Sequence, residues 1–193
     1  MRVMLTERLR LEPVSALNAD QLWQILQAAD LRAFQDLPGL RLTAFVESVS
    51  RRPLHLGSGQ HGRYEWLVVL RESGENAGWI SLRIPEREPG AAEVGYTLLA
   101  EFRGRGYATE AVSALIEEAF AAVHLQRLCA YCVPQNFASI AVLERLGFTR
   151  DMILPRGATV GGQPVDVIAH VLEAREWREG PNRTLMSAEA KKK

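Results

Sequence analysis

The chain has little that would mark it as secreted, membrane-bound or metal-dependent. Only two of its 193 residues are cysteine, Cys129 and Cys132, too few for the disulfide framework of a small extracellular domain. No apolar run approaches the about 18 residues needed to span a bilayer. Met1-Arg2-Val3 leads into a charged pattern instead of the apolar stretch of a signal peptide, so a cytoplasmic location is expected. Neither sign of charge is in excess, with 23 Lys plus Arg against 23 Asp plus Glu. That balance gives no global electrostatic case for nucleic acid or a membrane as partner. His55, His61, His124 and His170 show no His-x-x-x-His or comparable spacing, so no metal is expected.

The Cys129-x-x-Cys132 spacing invites a redox or zinc reading. The run from Arg127 to Val133 reads as a strand, however, and positions three apart on a strand point to opposite faces. Two buried strand thiols are expected instead. What remains is an ordinary globular composition, 47% hydrophobic and 24% charged, sized for one domain with a substantial core.

Hydrophobic periodicity orders that domain. A strand at 3–12 leads to a helix from Ser15 or Asn18, with Leu22, Ile25, Leu26 and Ala29 on one face. A second helical stretch, 43–52, follows the Leu37-Pro38-Gly39 break, and a Gly- and His-rich loop fills 53–63. Strands at 64–70 and 77–84 form a hairpin across Glu72-Ser73-Gly74-Glu75-Asn76. After the strand at 91–99 comes a long helix with Ala111, Val112, Leu115, Ile116, Ala119, Phe120 and Val123 at helical spacing. The cysteine-bearing strand, a helix from Asn136 and closing strands at 149–154 and 165–172 complete an α/β layered domain over 1–178. Residues 179–193, with Pro181, an Asn182-Arg183-Thr184 triplet and three final lysines, read as a flexible tail.

The most informative stretch joins the strand ending near Leu99 to the long helix: Arg103-Gly104-Arg105-Gly106-Tyr107-Ala108-Thr109. A glycine-bearing turn that opens a helix aims free N–H groups one way, at the positive end of the helix dipole. That is an anion cradle suited to phosphate. The glycines allow close backbone approach, and Arg103 and Arg105 add charge. A triphosphate-binding loop needs Gly-Lys-Ser/Thr, which is absent. A dinucleotide fingerprint needs a small residue where Thr109 stands and an acid near Cys129 and Ala130. An Arg-Gly nucleic-acid tract would be repetitive, and this stretch is single. A tight turn that holds no ligand stays open on these residues alone.

A second segment narrows the choice: Pro134-Gln135-Asn136-Phe137-Ala138-Ser139, then Val142-Leu143-Glu144-Arg145-Leu146-Gly147-Phe148. Arg103-x-x-Gly106-x-Ala108 resembles the pyrophosphate signature of the GNAT superfamily, the acetyl-CoA-dependent N-acetyltransferases. The second segment is similar to that superfamily's Asn- and Ser-bearing helix with its Leu-Glu-x-Leu-Gly-Phe end. Thr6-Glu7-Arg8-Leu9-Arg10-Leu11 and Gly162-x-x-x-Asp166-Val167 resemble the RimJ/RimL-type branch, which acetylates ribosomal-protein N-termini. The resemblance spans residues 3–178.

It implies a mixed, mostly antiparallel central sheet, splayed at a cofactor cleft and flanked by helices. It implies acetyl-CoA as cosubstrate, held by Tyr96, Thr97, Leu98, Arg103, Gly104, Arg105, Gly106, Tyr107, Ala108, Thr109, Asn136 and Ser139. It makes Glu93 a candidate base working through water, and Ser139 a candidate acid for the departing thiolate or a cofactor contact. Asn136 has a plainer role as helix N-cap, and Asp166 a structural one. Some members carry an acidic Tyr where this chain has Leu143. The acceptor is a primary amine, with a protein or peptide N-terminus the leading candidate. Polyamines, amino acids and aminoglycosides stay open, as does a CoA-binding domain without catalysis. A monomer or homodimer is expected.

Overall fold

A computed structural model describes residues 1–35 and 39–179. Eight strands, β1 (Met4–Leu5), β2 (Leu9–Pro13), β3 (Gly62–Leu70), β4 (Asn76–Ile84), β5 (Ala91–Leu98), β6 (Arg127–Cys132), β7 (Thr149–Val160) and β8 (Gln163–Glu173), form one sheet in the order β1-β2-β3-β4-β5-β6-β8-β7. All neighbours run antiparallel except β5 and β6. Helices α1 (Ala19–Leu26) and α2 (Leu42–Ser50) cover one face. They bury Leu22, Ile25, Phe45 and Val49 against Leu67, Val69 and Trp79. On the other face lie α3 (Tyr107–Glu117) and α4 (Phe137–Arg145), with α5 (Ala174–Glu179) closing the described chain. The larger core, including Trp66, Ile80, Val94, Leu115 and Phe120, sits there. The splayed, mostly antiparallel mixed sheet expected from the resemblance is therefore the fold observed.

Three local expectations need correction. The opening strand is two strands, β1 and β2, paired with each other around Thr6-Glu7-Arg8. Thr6 Oγ1 accepts from the Leu9 amide at 3.0 Å and makes the turn. The closing hairpin runs much further than 149–154 and 165–172. Pro155 and Gly157 look like strand ends, yet the chain absorbs them in a register shift between Leu154 and Ala158 and keeps pairing to Val160. Gly161 and Gly162, both at positive φ, make its two-residue turn. The long helix is not uniform, since Glu118–Ala122 widens to π geometry before His124 ends it at φ 64°.

Cys132 is buried and Cys129 half-buried, and both are free thiols. No described helix is long and apolar enough to cross a membrane. Of the expected tail only Glu179 is described, at the end of α5; its Asn182-Arg183-Thr184 triplet and lysines, and Leu37 and Pro38 of the expected break, lie outside the described residues.

Helix α3 begins at the glycine-bearing turn 103–106, so its docking sets where that turn sits. Leu115 is fully buried on the sheet side and Arg105 is exposed. Leu115→Ala should cost about 2–5 kcal/mol in denaturant unfolding, whereas Arg105→Ala should stay within about 0.5 kcal/mol.

Candidate functional site

The sheet parts in its middle. The parallel pairing of β5 and β6 comprises Ala91↔Arg127, Ala92↔Leu128 and Glu93↔Cys129 and then stops. Beyond Glu93, β5 continues beside β4 alone to Leu98, and β6 stays with β8 to Cys132. Between them opens a cavity of about 1140 Å³ that reaches from the start of α3 and from α4 to the face under α1 and α2.

Its upper end is the turn at 103–106. Gly104 and Gly106 have φ of 73° and 82°, values that side-chain-bearing residues adopt at a cost. The first amide of α3 engaged by backbone is that of Glu110, which donates to the Gly106 carbonyl at 3.1 Å. The helix geometry therefore leaves the N–H groups of Tyr107, Ala108 and Thr109 free to meet an anion. Thr109 Oγ1 is buried with no hydrogen-bond partner, and Thr109 lines the cavity. An orphaned hydroxyl beside free amides and Cβ-free turn positions fits a phosphate-bearing ligand. Among the described residues no group of three or more His, Cys, Asp or Glu could hold a metal.

The turn is held rigidly from outside. Arg8 donates from Nε to Glu110 at 2.7 Å and from Nη1 to the Arg105 carbonyl at 2.9 Å. Its guanidinium also stacks 4.7 Å from the Tyr107 ring centroid. Glu110 accepts from Thr6 Oγ1 at 2.6 Å and from the Arg8 amide at 2.8 Å. Burial alone would raise the Glu110 carboxyl; the donors on Thr6 and Arg8 outweigh it and hold the group below its ordinary range. Arg103 does not aim its side chain at the cradle. Its Nε donates to the Leu98 carbonyl at 2.9 Å and its Nη2 pairs with Asp30, so its guanidinium ties the turn to β5 and to the segment after α1. Arg105 is exposed at the rim.

Below the turn, Tyr96, Thr97 and Leu98 line the β5 wall of the cleft. Thr97 Oγ1 accepts from Gln35 at 3.2 Å. Tyr96 points to α4, where its hydroxyl lies 2.8 Å from Ser139 Oγ and 3.0 Å from the Ser139 carbonyl. Burial pushes the Tyr96 phenol well above its ordinary value, outweighing the Ser139 bond. Asn136 caps α4, its Oδ1 accepting from the Ser139 amide at 3.1 Å, and it also lines the cavity. Leu143 lies in the core. Glu93 stands at the last pair before the parting, half-exposed on the α1–α2 face, with Oε2 3.1 Å from Arg83.

The cleft thus brings together every residue expected to hold the cofactor except Arg105, which stands beside it. Asp166 has the structural part expected of it, Oδ1 accepting from the Arg156 amide at 2.9 Å. His55 and His61 do not line the cavity. Two things escaped the sequence reading: the Tyr96 hydroxyl as partner of Ser139, and a charged wall of Arg52, Arg63, Glu65 and Arg83 facing Glu93.

Residues 8–149 match the acetyltransferase (GNAT) domain family. The chain belongs to the GNAT family of N-acetyltransferases. Among its relatives is the uncharacterized N-acetyltransferase p20 of Bacillus licheniformis, 29% identical over 183 residues that cover 92% of this chain and 99% of that protein. The putative ribosomal N-acetyltransferase YdaF of Bacillus subtilis is 36% identical over 108 residues, covering 56% and 59%. Among solved structures, RimL, a ribosomal L7/L12 α-N-protein acetyltransferase in complex with coenzyme A, superposes with a TM-score of 0.78 at 22% identity. The match covers 89% of this chain and 98% of that one. The GNAT enzyme fold expected from the two motifs is borne out, and acetyl-CoA is the cosubstrate that GNAT acetyltransferases use.

Two outcomes follow. Gly106→Val adds a branched side chain at a positive φ, and its Cβ would meet Arg8 Nη2 at 3.3 Å, so it distorts the turn that forms the cradle. It should abolish acetyl-CoA binding in calorimetry while costing about 1–2 kcal/mol of stability; wild-type affinity would refute the cradle. Glu110, with its depressed folded pKa, contributes stability that is present above its ordinary 4.5 and lost as pH falls through the folded value. Thermal melts of Glu110→Gln should therefore lie below wild type at pH 7, the gap closing in acid.

Proposed function

We propose that this GNAT enzyme acetylates the N-terminal α-amine of a protein or peptide, by direct attack with acceptor and acetyl-CoA bound together. The observation that carries the reading is Glu93, at the point where the sheet parts and the cofactor end of the cleft meets the α1–α2 face. The names of YdaF and RimL support the acceptor class, and a cytoplasmic location goes with it.

The turn at 103–106, the first amides of α3, Thr109 and Asn136 hold the cosubstrate, and the unpaired edge of β5 lies along the path to Glu93. Acetyl-CoA supplies an activated thioester. The α-amine, with a pKa near 7.7–8.0, is partly neutral at pH 7, whereas a lysine near 10.4 is not. The demand on a base is modest, and holding the reactants together accounts for much of the rate. Glu93 spends one oxygen on Arg83, and the other takes the amine proton through a water as the new C–N bond forms.

On the opposite side, the sulfur that leaves as the C–S bond breaks needs a proton, and Leu143 offers none. Tyr96 and Ser139 fill that role from two elements. The Tyr96 hydroxyl has a single proton to give. When it donates to Ser139 Oγ, the Ser139 proton goes to sulfur as the Tyr96 proton passes to Ser139 Oγ, and solvent restores the phenol as products leave; burial keeps the phenol protonated before the step throughout the neutral range. Ser139 is the candidate acid, and Tyr96 resupplies its proton.

Glu93→Gln should lower turnover by about 10²–10⁴-fold with cofactor affinity retained, and the deficit should shrink as pH rises past the amine pKa. Ser139→Ala and Tyr96→Phe should each give a smaller loss that persists at high pH, and the double variant should be no worse than the poorer single one. Full activity of Glu93→Gln across the pH profile would remove the base and leave positioning alone.

A further inference from the structure

The face of the cleft under α1 and α2 carries a charge pattern that acetyl transfer does not itself require. Cross-strand register sets Arg63 of β3, Arg83 of β4 and Glu93 of β5 abreast, and Glu65, Ser81 and Gly95 abreast one step further along. Arg52, just after α2, forms an ion pair with Glu65, and Arg63 meets the same carboxylate at 2.9 Å. Arg83 meets Glu93 at 3.1 Å. All five charged side chains line the cavity, three guanidiniums against two carboxylates.

The distribution of that surplus matters more than its size. Glu65 is 4% exposed and fully engaged by Arg52 and Arg63, whereas the Arg63 and Arg83 side chains keep 51% and 63% of their surface open. Two like charges directly opposite one another on neighbouring strands are destabilising. Each guanidinium has five donors, and single carboxylates at Glu65 and Glu93 leave several unused. Free donors in a planar fork match a carboxylate. Phe34, Phe45 and Trp79 also line the cavity.

We propose that Arg63 and Arg83 read a carboxylate on the acceptor close to the amine that is acetylated, so that the favoured substrate is a peptide N-terminus with Asp or Glu beside its first residue. This rests on the N-terminal acetylation reading above. Arg63 holds the acid while Arg83 shares itself between the acid and Glu93. Arg63 keeps its Nε and Nη2 on Glu65 and meets the acid with its remaining donors. The cationic rim also draws anionic acceptors in, an effect that salt screens.

The test compares kcat/KM for tripeptides identical except for Asp, Asn or Lys at the second position, alongside free aspartate and asparagine, each at low and high salt. The Asp peptide should exceed the Asn peptide by about tenfold or more, with Lys last and the gap narrowing in salt. Arg63→Gln should erase the preference mainly through KM, and Arg63→Lys should retain part of it. If Arg63→Gln does not fold, the wild-type ranking and its salt dependence decide alone. Equal use of Asp and Asn peptides, or a preference that survives in folded Arg63→Gln, overturns the proposal and leaves N-terminal acetylation standing. Turnover of free aspartate over asparagine with all peptides idle upholds the carboxylate reader and overturns the peptide acceptor. If nothing turns over, titration of the CoA-loaded protein with the Asp and Asn peptides gives the same ranking, and absence of any preference overturns the proposal.

Discussion

Everything functional in this protein depends on a pairing that stops. Three residue pairs join β5 to β6, after which two strands of one sheet separate and leave backbone edges facing each other across a gap. Unpaired edges are costly in a protein interior, so the parting needs support from both sides. The continuous ladders to β4 and β8 supply it, and the two cores above and below the sheet lock those ladders in place. The gap opens the plane of the sheet, with the free first amides of α3 at one end and the Glu93 carboxylate at the other.

Polar ties connect the two ends. Arg103 bonds Leu98 and Asp30, and Gln35 bonds Thr97, so the segment after α1 is fastened both to the turn and to β5. Arg8, in the turn between β1 and β2, and Glu110 of α3 fix the turn at 103–106 as well. These are partly exposed charge pairs, each of modest worth alone, but they converge on a few residues of backbone whose conformation sets where a phosphate can sit. On the α1–α2 side of the cleft the arginines and glutamates are arranged by strand register and not by local sequence.

That difference explains what the sequence could reveal. The turn with Gly104 and Gly106 and the Asn136 cap were legible because the chemistry of each lies within a few residues of chain, whereas Glu93 came from the family resemblance. Helix and strand positions through the middle of the domain were legible for the same reason, from periodicity. The Tyr96–Ser139 contact spans 43 residues of chain, and the Arg63–Arg83–Glu93 row needs the register of three strands; neither leaves a local trace. Arg103 lines the cavity as expected, but its ties to the Leu98 carbonyl and Asp30 leave no local trace. The β7–β8 hairpin was underestimated because Pro155 and Gly157 end most strands, and a register shift that accommodates them is invisible without the partner strand.

Hydrogen–deuterium exchange of the protein with and without acetyl-CoA tests the central claim, that the parted sheet and the start of α3 form one cofactor path. Slower exchange confined to the amides of residues 104–109 and 95–98 is the result predicted. Protection elsewhere, with those two segments unchanged, would contradict the account.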